Sequence, residues 1–322
     1  GIRPRMLVDK EKKNLLIKLS LLLPDLDIEK IKKKLDKNNF FWLGRRLTPK
    51  EKDQLWLIGN KAFEFKSRSS RIYPQKNLFS HILGQTDDIN NGISGFEKSF
   101  DKDLRDSEKI KKPLYLTLDS NLQYLIREEL IKSQQDFQSI GSAALLMNVN
   151  SGEILSLISL PDYDLNKRTS LESESYINKI TLGVYELGSV FKTFTIAAGL
   201  ESKTISSNTV FKDLKHSITC DKYTISEHDK LPKKLNTEQI LIRSSNIGAV
   251  RIAQKLGVKK YRDFLNSLDL LDTISFDLDE VGTPLSFKWG KCKLATTSYG
   301  HGITTTPLQL ARAYAILGNG GY

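Results

Sequence analysis

The segment Gly188-Ser189-Val190-Phe191-Lys192-Thr193-Phe194-Thr195-Ile196-Ala197-Ala198-Gly199-Leu200 is the most informative part of this sequence. As a helix it is apolar on nearly every side, and a helix that is apolar all round is buried. An amine without a partner in such a setting lowers its pKa and becomes neutral, so we expect this of Lys192. Ser189 lies three residues earlier on the same helical face. Free backbone N–H groups at the helix start would stabilise an anion there.

A serine, a neutral amine and anion-stabilising amides within one helical turn suit nucleophilic acyl transfer. The bare Ser-x-x-Lys pattern is weak, because Ser99-Phe100-Asp101-Lys102 matches it with no apolar helix behind it. Context therefore selects Ser189 and Lys192. On local grounds, a structural serine with a lysine reaching to solvent remains the alternative.

A second chemical element is Ser244-Ser245-Asn246, which opens the apolar run 247–253. The hydroxyl of Ser244 and the amide of Asn246 would face one cleft. Ser244 would relay a proton, and Asn246 would hold the lysine and a substrate carbonyl. The alternative is that Ser244 and Asn246 are helix caps. The triplet recurs as Ser206-Ser207-Asn208 in a polar connection, where turn formation is the expected role.

Ser-x-x-Lys followed by Ser-x-Asn is typical of β-lactamases and penicillin-binding proteins. Residues 185–195 resemble the nucleophile segment of class B penicillin-binding proteins. Tyr73-Pro74, 81–84 and 92–97 resemble the pedestal of the division-type, FtsI-like branch. The likeness covers about residues 71 to 322, and further segments resemble the family in the expected order: 116–123, 150–155, Tyr299-Gly300-His301-Gly302 and 306–311.

The resemblance implies an α+β fold, with a pedestal followed by an antiparallel sheet flanked by helices. Residues 1–112 are expected to form the pedestal, a domain for dimerisation and partner binding. Residues 113–322 would be a β-lactamase-like transpeptidase domain lacking its C-terminal part, with the boundary in the basic linker 109–113. No Lys-Thr-Gly or Lys-Ser-Gly occurs in the chain, although in the family this element supplies an oxyanion N–H. We therefore expect the chain, taken alone and truncated at both ends, to be poorly stable and inactive.

The resemblance also implies a peptidoglycan D,D-transpeptidase of septal cell-wall synthesis. Ser189 would attack the carbonyl between the last two D-alanines of a stem peptide, Lys192 would be the base, and Ser244 would pass the proton onward. β-Lactams would be covalent inhibitors, and no metal or other cofactor is required. The implied partners are stem peptides and division-machinery membrane proteins, not nucleic acid. The implied location is the periplasmic face of the bacterial inner membrane, through an N-terminal anchor absent from this chain.

Composition fits a globular protein, since 39% of the 322 residues are hydrophobic and 27% are charged. The net charge of +11 favours anionic partners. The alternative is that this positive charge has no binding role, because the lysines are scattered and the chain is rich in Lys and Asn throughout. No stretch reaches the ~18 apolar residues of a bilayer span. The best run, Leu15–Leu23, is interrupted by Lys18.

Local patterns predict several elements. Apolar residues at helical spacing indicate helices near Leu15–Leu23 and after Asp27, while Thr48-Pro49-Lys50-Glu51 indicates a third helix start. Residues 114–118 alternate like a short strand before a helix capped by Asp119 or Ser120. Residues 143–149 and 153–160 indicate a hairpin, and helical patterns cover 189–200, 237–257 and 307–317.

The same residues also fit other functions. A β-lactamase or penicillin sensor shares the Ser-x-x-Lys chemistry, and a non-catalytic scaffold that binds division partners would need no third motif. A metal site would use His216, Cys220 and His228. Cys220 and Cys292 show no CxxC spacing, so separate thiols are expected, and a single disulfide is the alternative if the compartment is oxidising. His81 and His301 are expected to be structural residues in glycine-containing loops.

Overall fold

The computed structural model describes residues 1–43, 47–67, 71–87, 90–106, 113–167, 173–221 and 223–321. Backbone contacts divide the chain into two compact units. The first comprises Gly1–Ile72 with Thr86–Asn91, and the second comprises Tyr73–Gln85 with Gly92–Tyr322. Most of the predicted linker 109–113 lies outside the described residues, so the boundary near residue 112 stays a prediction.

Apolar stripes on short helices build the first unit, as the sequence predicts. Leu15, Leu19 and Leu23 are at most 2% exposed and pack with Ile31 and Leu35 in one core. This side-chain spacing places one face of each helix toward the core. The helices are α1 (Asp9–Leu22), α2 (Ile28–Asp36) and α3 (Pro49–Leu57), preceded by a 3₁₀ turn at Pro4–Met6.

Two of these helices begin at the predicted caps. The Asp27 carboxylate accepts a hydrogen bond of 2.9 Å from the Lys30 N–H. Thr48 Oγ1 accepts from the Glu51 N–H at 3.2 Å, and the Glu51 carboxylate accepts from the Thr48 N–H at 2.8 Å. This reciprocal capping box satisfies N–H groups that the helix itself leaves without partners.

The second unit combines helices with antiparallel strand pairs, which confirms the α+β prediction. None of the helices in the described part of the chain has the length and hydropathy of a membrane span. The α-helices of the second unit are α4 (Ser80–Leu83), α5 (Gly95–Ser99), α6 (Asp101–Arg105), α7 (Ser120–Asp136), α8 (Lys192–Glu201), α9 (Thr237–Ile242), α10 (Asn246–Ser267), α11 (Lys291–Thr297) and α12 (Pro307–Gly318). Its strands are β1 (Ser142–Met147), β2 (Ile154–Leu160), β3 (Val210–Phe211), β4 (Ser217–Cys220), β5 (Tyr223–Ser226) and β6 (Leu235–Asn236).

The predicted hairpin is confirmed. Strands β1 and β2 pair antiparallel, with Ser142 opposite Leu160 at one end and Met147 opposite Ile154 at the other. Helix α7 begins at the predicted cap Asp119, whose carboxylate accepts hydrogen bonds from the N–H groups of Asn121 at 2.8 Å and Leu122 at 3.0 Å. The hairpin and α7 contact each other closely.

The predicted strand at 114–118 is wrong, because this segment makes no strand ladder. Its side chains alternate in exposure: Leu116 and Leu118 are partly buried against the core beside the hairpin, whereas Tyr115 and Thr117 are exposed. The hydrogen bonds that join it to β2 come from the Thr117 hydroxyl to the Ile154 carbonyl and from the Asp119 N–H to the Leu155 carbonyl. An alternating pattern of apolar and polar residues shows that one face of the segment is buried. It does not show the repeated backbone hydrogen bonds to a neighbouring chain segment that define a strand.

The helix predicted over 237–257 is in fact two helices, separated at 243–245. Ser244 has φ 49, and a left-handed residue does not continue a right-handed helix. Ser245 then caps α10, because its Oγ accepts from the Gly248 N–H at 2.9 Å. The helical run ends at Gly257, which has φ 78, and a continuation carries α10 to Ser267.

Helices α8 and α10 share the apolar core that surrounds the candidate site. Phe191, Phe194, Ile247 and Val250 are all 0% exposed. The all-round apolar character of the segment after Ser189 is therefore explained by burial, as predicted. The helix predicted over 307–317 is confirmed as α12 and contributes Ala313 to the same core.

The segments 81–84 and 92–97 meet through a close backbone approach. A Cβ atom on Gly84, which has φ 72, would lie 2.0 Å from the carbonyl oxygen of Ser94. Next to it, the Gln85 N–H donates to Ser94 Oγ at 3.0 Å, and Ser94 itself is 6% exposed. Only glycine fits at this contact, since real Cβ atoms do not approach backbone atoms so closely.

We expect Gly84→Ala to lower the free energy of unfolding by about 3 kcal/mol or more, because the added methyl collides with backbone. Gly152→Ala is the matched control: Gly152 has φ 73 but nothing within 4 Å of the added atom. It should cost only the left-handed conformation of alanine, about 1–2 kcal/mol. Denaturant unfolding of the product of the complete gene measures both, and equal destabilisation would contradict the collision.

Candidate active site

Ser189 and Lys192 lie one turn apart on one face of the helical segment. A 3₁₀ turn covers Gly188–Phe191, and α8 begins at Lys192 itself. Lys192 Nζ is 3.1 Å from Ser189 Oγ. Ser189 is exposed, whereas Lys192 is 2% exposed. The predicted pairing is therefore present: a hydroxyl open to solvent with a buried amine directly beneath it.

Ser244 completes the surroundings of the amine. Lys192 Nζ lies 2.8 Å from Ser244 Oγ and also hydrogen bonds to the Ser244 carbonyl oxygen. Burial lowers the pKa of Lys192 to about 8, although the negative charge of Glu227 opposes this by raising it. About a tenth of the amine is then neutral at pH 7, far more than for a lysine with the ordinary pKa of 10.5.

Asn246 is close in sequence but is turned to a different partner. Its side-chain Nδ2 donates to the Ser226 carbonyl oxygen at 2.8 Å. The expected hydrogen bond from Asn246 to Lys192 is not among the contacts of the described residues. The cap alternative for Ser244 and Asn246 is wrong, because the cap of α10 is the residue between them, Ser245.

Glu227 is part of this site, although no sequence motif indicates it. Its carboxylate is 6% exposed and accepts from Ser245 Oγ at 2.5 Å. It also accepts from the backbone N–H groups of Asn246 at 2.7 Å and Ile247 at 3.0 Å. A single acid after a short strand has no characteristic spacing, so only the fold reveals it.

Gly300 supports the turn that carries Ser189 from the other side. A Cβ on Gly300, which has φ 82, would lie 1.8 Å from the carbonyl oxygen of Gly188. Tyr185 and Thr305 exchange two backbone hydrogen bonds of 3.0 Å, which hold the chain before and after these glycines together. The Tyr-Gly-His-Gly motif is thus explained by close backbone contact with the turn that bears the serine.

Helix α12 fixes the same turn through Tyr314. The Tyr314 hydroxyl donates to the Val190 carbonyl oxygen at 2.8 Å and lies 3.0 Å from Thr193 Oγ1. Its ring packs edge-on against Phe194, with ring centroids 5.0 Å apart. The residues just before and after Lys192 are therefore held by a helix more than a hundred positions later in the chain.

The other serine motifs are not part of this site. Ser99 Oγ accepts from the Asp279 N–H at 2.9 Å, an ordinary structural contact. Ser206 makes a local turn: its N–H donates to Thr209 Oγ1 at 2.8 Å, as predicted for the Ser206-Ser207-Asn208 triplet.

Cys220 is not available as a ligand for the alternative metal site with His216 and His228. Cys220 and Cys292 form a disulfide, so the expectation of separate thiols is wrong. The two cysteines are 72 residues apart, and the fold brings the end of β4 to the start of α11. The described residues contain no group of three side chains able to hold a metal ion.

The remaining histidines have structural contacts. His81 is buried in α4, where its Nε2 lies 2.7 Å from the Ser175 carbonyl oxygen and burial lowers its pKa to about 4. His301 Nδ1 lies 3.1 Å from the Glu186 carboxylate, and most of its side chain is exposed. Neither contacts Ser189 or Lys192 in the described structure.

This arrangement suits acyl transfer through serine. A neutral amine has one lone pair and two N–H donors. The lone pair can accept the proton of Ser189 while the two N–H groups donate to the carbonyl and hydroxyl of Ser244. A nucleophile with an adjacent base that is itself oriented by a third group is the general requirement for an activated serine.

Two family models match the chain. The penicillin binding protein transpeptidase domain covers residues 142–322, and the penicillin-binding protein dimerisation domain covers residues 1–127. Among solved structures, penicillin binding protein 3 of Mycobacterium tuberculosis superposes with a TM-score of 0.69 over 78% of this chain and 58% of that chain. Its sequence identity of 22% shows the fold alone.

Curated relatives carry the name FtsI. The probable peptidoglycan D,D-transpeptidase FtsI of Caulobacter vibrioides is 33% identical over 296 residues, which are 90% of this chain and 50% of the relative. The peptidoglycan D,D-transpeptidase FtsI of Escherichia coli is 27% identical over 310 residues, which are 88% of this chain and 52% of the relative. The chain spans about half the length of the curated relatives it matches. Because the transpeptidase model covers more than half of the chain and the relatives are of the FtsI type, the chain belongs to the class B, division-type penicillin-binding proteins.

Proposed function

We propose that this chain is part of a serine D,D-transpeptidase that cross-links peptidoglycan stem peptides. The observation that carries the proposal is the buried Lys192 amine, 3.1 Å from Ser189 Oγ and 2.8 Å from Ser244 Oγ. The names of the relatives supply the substrate class, and the geometry supplies a mechanism for it.

In the first half-reaction Ser189 Oγ attacks the carbonyl carbon between the last two D-alanines of a stem peptide. Lys192 takes the hydroxyl proton as the new C–O bond forms. The proton then passes through the Ser244 hydroxyl to the nitrogen of the leaving D-alanine, and the C–N bond breaks. The products are free D-alanine and an ester on Ser189.

In the second half-reaction an amine of a neighbouring stem attacks that ester. The amine loses a proton through the same pair of residues, and Ser189 recovers its hydroxyl hydrogen as the ester bond breaks. Asn246 is proposed to bind the substrate amide, which requires its side chain to leave the Ser226 carbonyl. A β-lactam would enter as a substrate mimic, and opening of its ring would leave Ser189 esterified.

The remaining assignments extend from the family. We propose residues 1–112 as the pedestal for dimerisation and division-machinery partners and residues 113–322 as the catalytic domain. The proposed location is the periplasmic face of the inner membrane, with an N-terminal anchor beyond this chain. The Cys220–Cys292 disulfide supports such an oxidising compartment.

We expect Ser189→Ala to abolish covalent labelling by a fluorescent penicillin, because among the described residues Ser189 is the exposed hydroxyl that contacts the buried amine of Lys192. Ser99→Ala is the matched control, since it removes the serine of the second Ser-x-x-Lys match and should label like the unchanged protein. Gel fluorescence of the product of the complete gene measures both. Labelling that survives in Ser189→Ala would overturn the assignment.

We also expect the rate of acylation to rise with pH. The base form of Lys192 is the neutral amine, so its fraction grows as pH approaches the pKa of about 8. Below that value the second-order rate constant should rise about tenfold per pH unit, and it should level off above it. Stopped-flow measurement of penicillin binding tests this, and Lys192→Arg should be inactive because a guanidinium is not deprotonated. A flat profile, or a midpoint at the ordinary lysine value of 10.5, is the contrary result.

A further inference from the structure

We propose that Glu227 is a positioning residue whose buried carboxylate holds the 244–246 loop in the conformation that presents Ser244 to Lys192. The inference rests on the proposed acyl-transfer function and assigns to that site a residue outside its sequence motifs. Glu227 lies between β5 and the long connection to β6, eighteen residues before Ser245.

The carboxylate acts as the anion at the start of α10. One oxygen accepts from Ser245 Oγ at 2.5 Å and the Ile247 N–H at 3.0 Å, and the other accepts from the Asn246 N–H at 2.7 Å. The first N–H groups of a helix have no partner within the helix, and the helix dipole favours a negative charge there. Glu227 thereby fixes the Ser245 side chain and the backbone of Asn246 and Ile247, which are the three residues after Ser244.

Ser244 needs this support because its own backbone is unfavourable. It has φ 49, a left-handed conformation that a serine adopts only when its surroundings impose it. The Ser244 N–H donates to the Leu241 carbonyl at 3.0 Å, which holds the loop on its N-terminal side. On the C-terminal side the corresponding restraint is Ser245, which is 0% exposed and hydrogen bonded to Glu227. The hydrogen bond to Leu241 and the contact of Ser245 with Glu227 together direct the Ser244 carbonyl and hydroxyl toward Lys192.

Glu227 is itself held in place from two directions. Its N–H donates to the His216 carbonyl at 2.9 Å, next to the β4–β5 hairpin. That hairpin is joined covalently to the start of α11 by the Cys220–Cys292 disulfide. The residue before Glu227 is tied to the catalytic loop as well, because the Ser226 carbonyl accepts from Asn246.

The charge of Glu227 also raises the pKa of Lys192. A change of this pKa on substitution distinguishes a positioning role of Glu227 from a purely structural one. The charged or titratable groups on the neighbouring elements include Glu227 after β5, Glu238 on α9, Arg243 before the loop, Arg251 on α10, Tyr314 on α12 and the Glu186–His301 pair. Among them, the charge that opposes the effect of burial on the pKa of Lys192 is that of Glu227. Its removal favours the neutral amine, so the pH profile of acylation moves to lower pH.

Glu227→Gln tests the proposal through the pH dependence of penicillin acylation in the product of the complete gene. The amide keeps the shape but places an N–H donor against a backbone N–H donor, so the plateau rate should fall about tenfold or more. The midpoint should move below that of the unchanged protein. Glu238→Gln is the matched control, because Glu238 is an exposed acid in the first turn of α9 and should change neither value.

Ser245→Ala provides a second test, because it removes one hydrogen bond to Glu227, together with the α10 cap on the Gly248 N–H, but keeps the charge of Glu227. Its plateau rate should fall while its midpoint stays unchanged. Should Glu227→Gln fail to fold, an unchanged plateau in Ser245→Ala still overturns the proposal. An unchanged plateau and midpoint in folded Glu227→Gln overturns it too. Either result, in a protein that still labels at Ser189, leaves the proposed function intact, whereas labelling of Ser189→Ala removes that function itself.

Discussion

The site depends on one interaction, the contact of a buried amine with two serine hydroxyls. Lys192 is 2% exposed, yet its Nζ lies 3.1 Å from Ser189 Oγ and 2.8 Å from Ser244 Oγ. Burial without these oxygen partners would be costly, and the partners without burial would leave an ordinary ammonium that cannot accept a proton. The apolar core around α8 and α10 therefore serves the chemistry, because it excludes water from one side of the amine while the serines face solvent on the other.

The elements that hold this contact come from distant parts of the chain. Gly300 approaches the turn before Ser189, Tyr314 on α12 binds the backbone after it, and Glu227 fixes the loop after Ser244. The contact of Gly300 is made by backbone and that of Glu227 by a buried side chain, whereas Tyr314 is partly exposed and acts through its hydroxyl and its ring contact with Phe194. Catalytic groups need such support, because small displacements of a nucleophile or a base reduce the rate strongly. The family membership of the chain explains why the Tyr-Gly-His-Gly segment accompanies the serine motifs.

The features that the sequence predicts correctly are local ones. The pairing of Ser189 with Lys192, the capping box at Thr48 and the hairpin before Leu160 all rest on residues within a few positions of one another. The features that it does not predict are decided by tertiary contacts. The strand expected at 114–118 lacks a ladder, the break at Ser244 depends on partners from other elements, and the disulfide joins cysteines 72 residues apart. Glu227 belongs to the same class, since its partners begin eighteen residues later and share no pattern with it.

The most direct test of the central claim is the ionisation of Lys192 itself. Carbon-13 NMR of the lysine Cε atoms, assigned by comparison with Lys192→Arg, follows this one amine through a pH titration of the product of the complete gene. We expect a midpoint at about 8 for Lys192, well below that of the exposed lysines. A midpoint at the ordinary value of 10.5 would show that the amine is a charged, solvated group and would contradict the claim that it can act as the base.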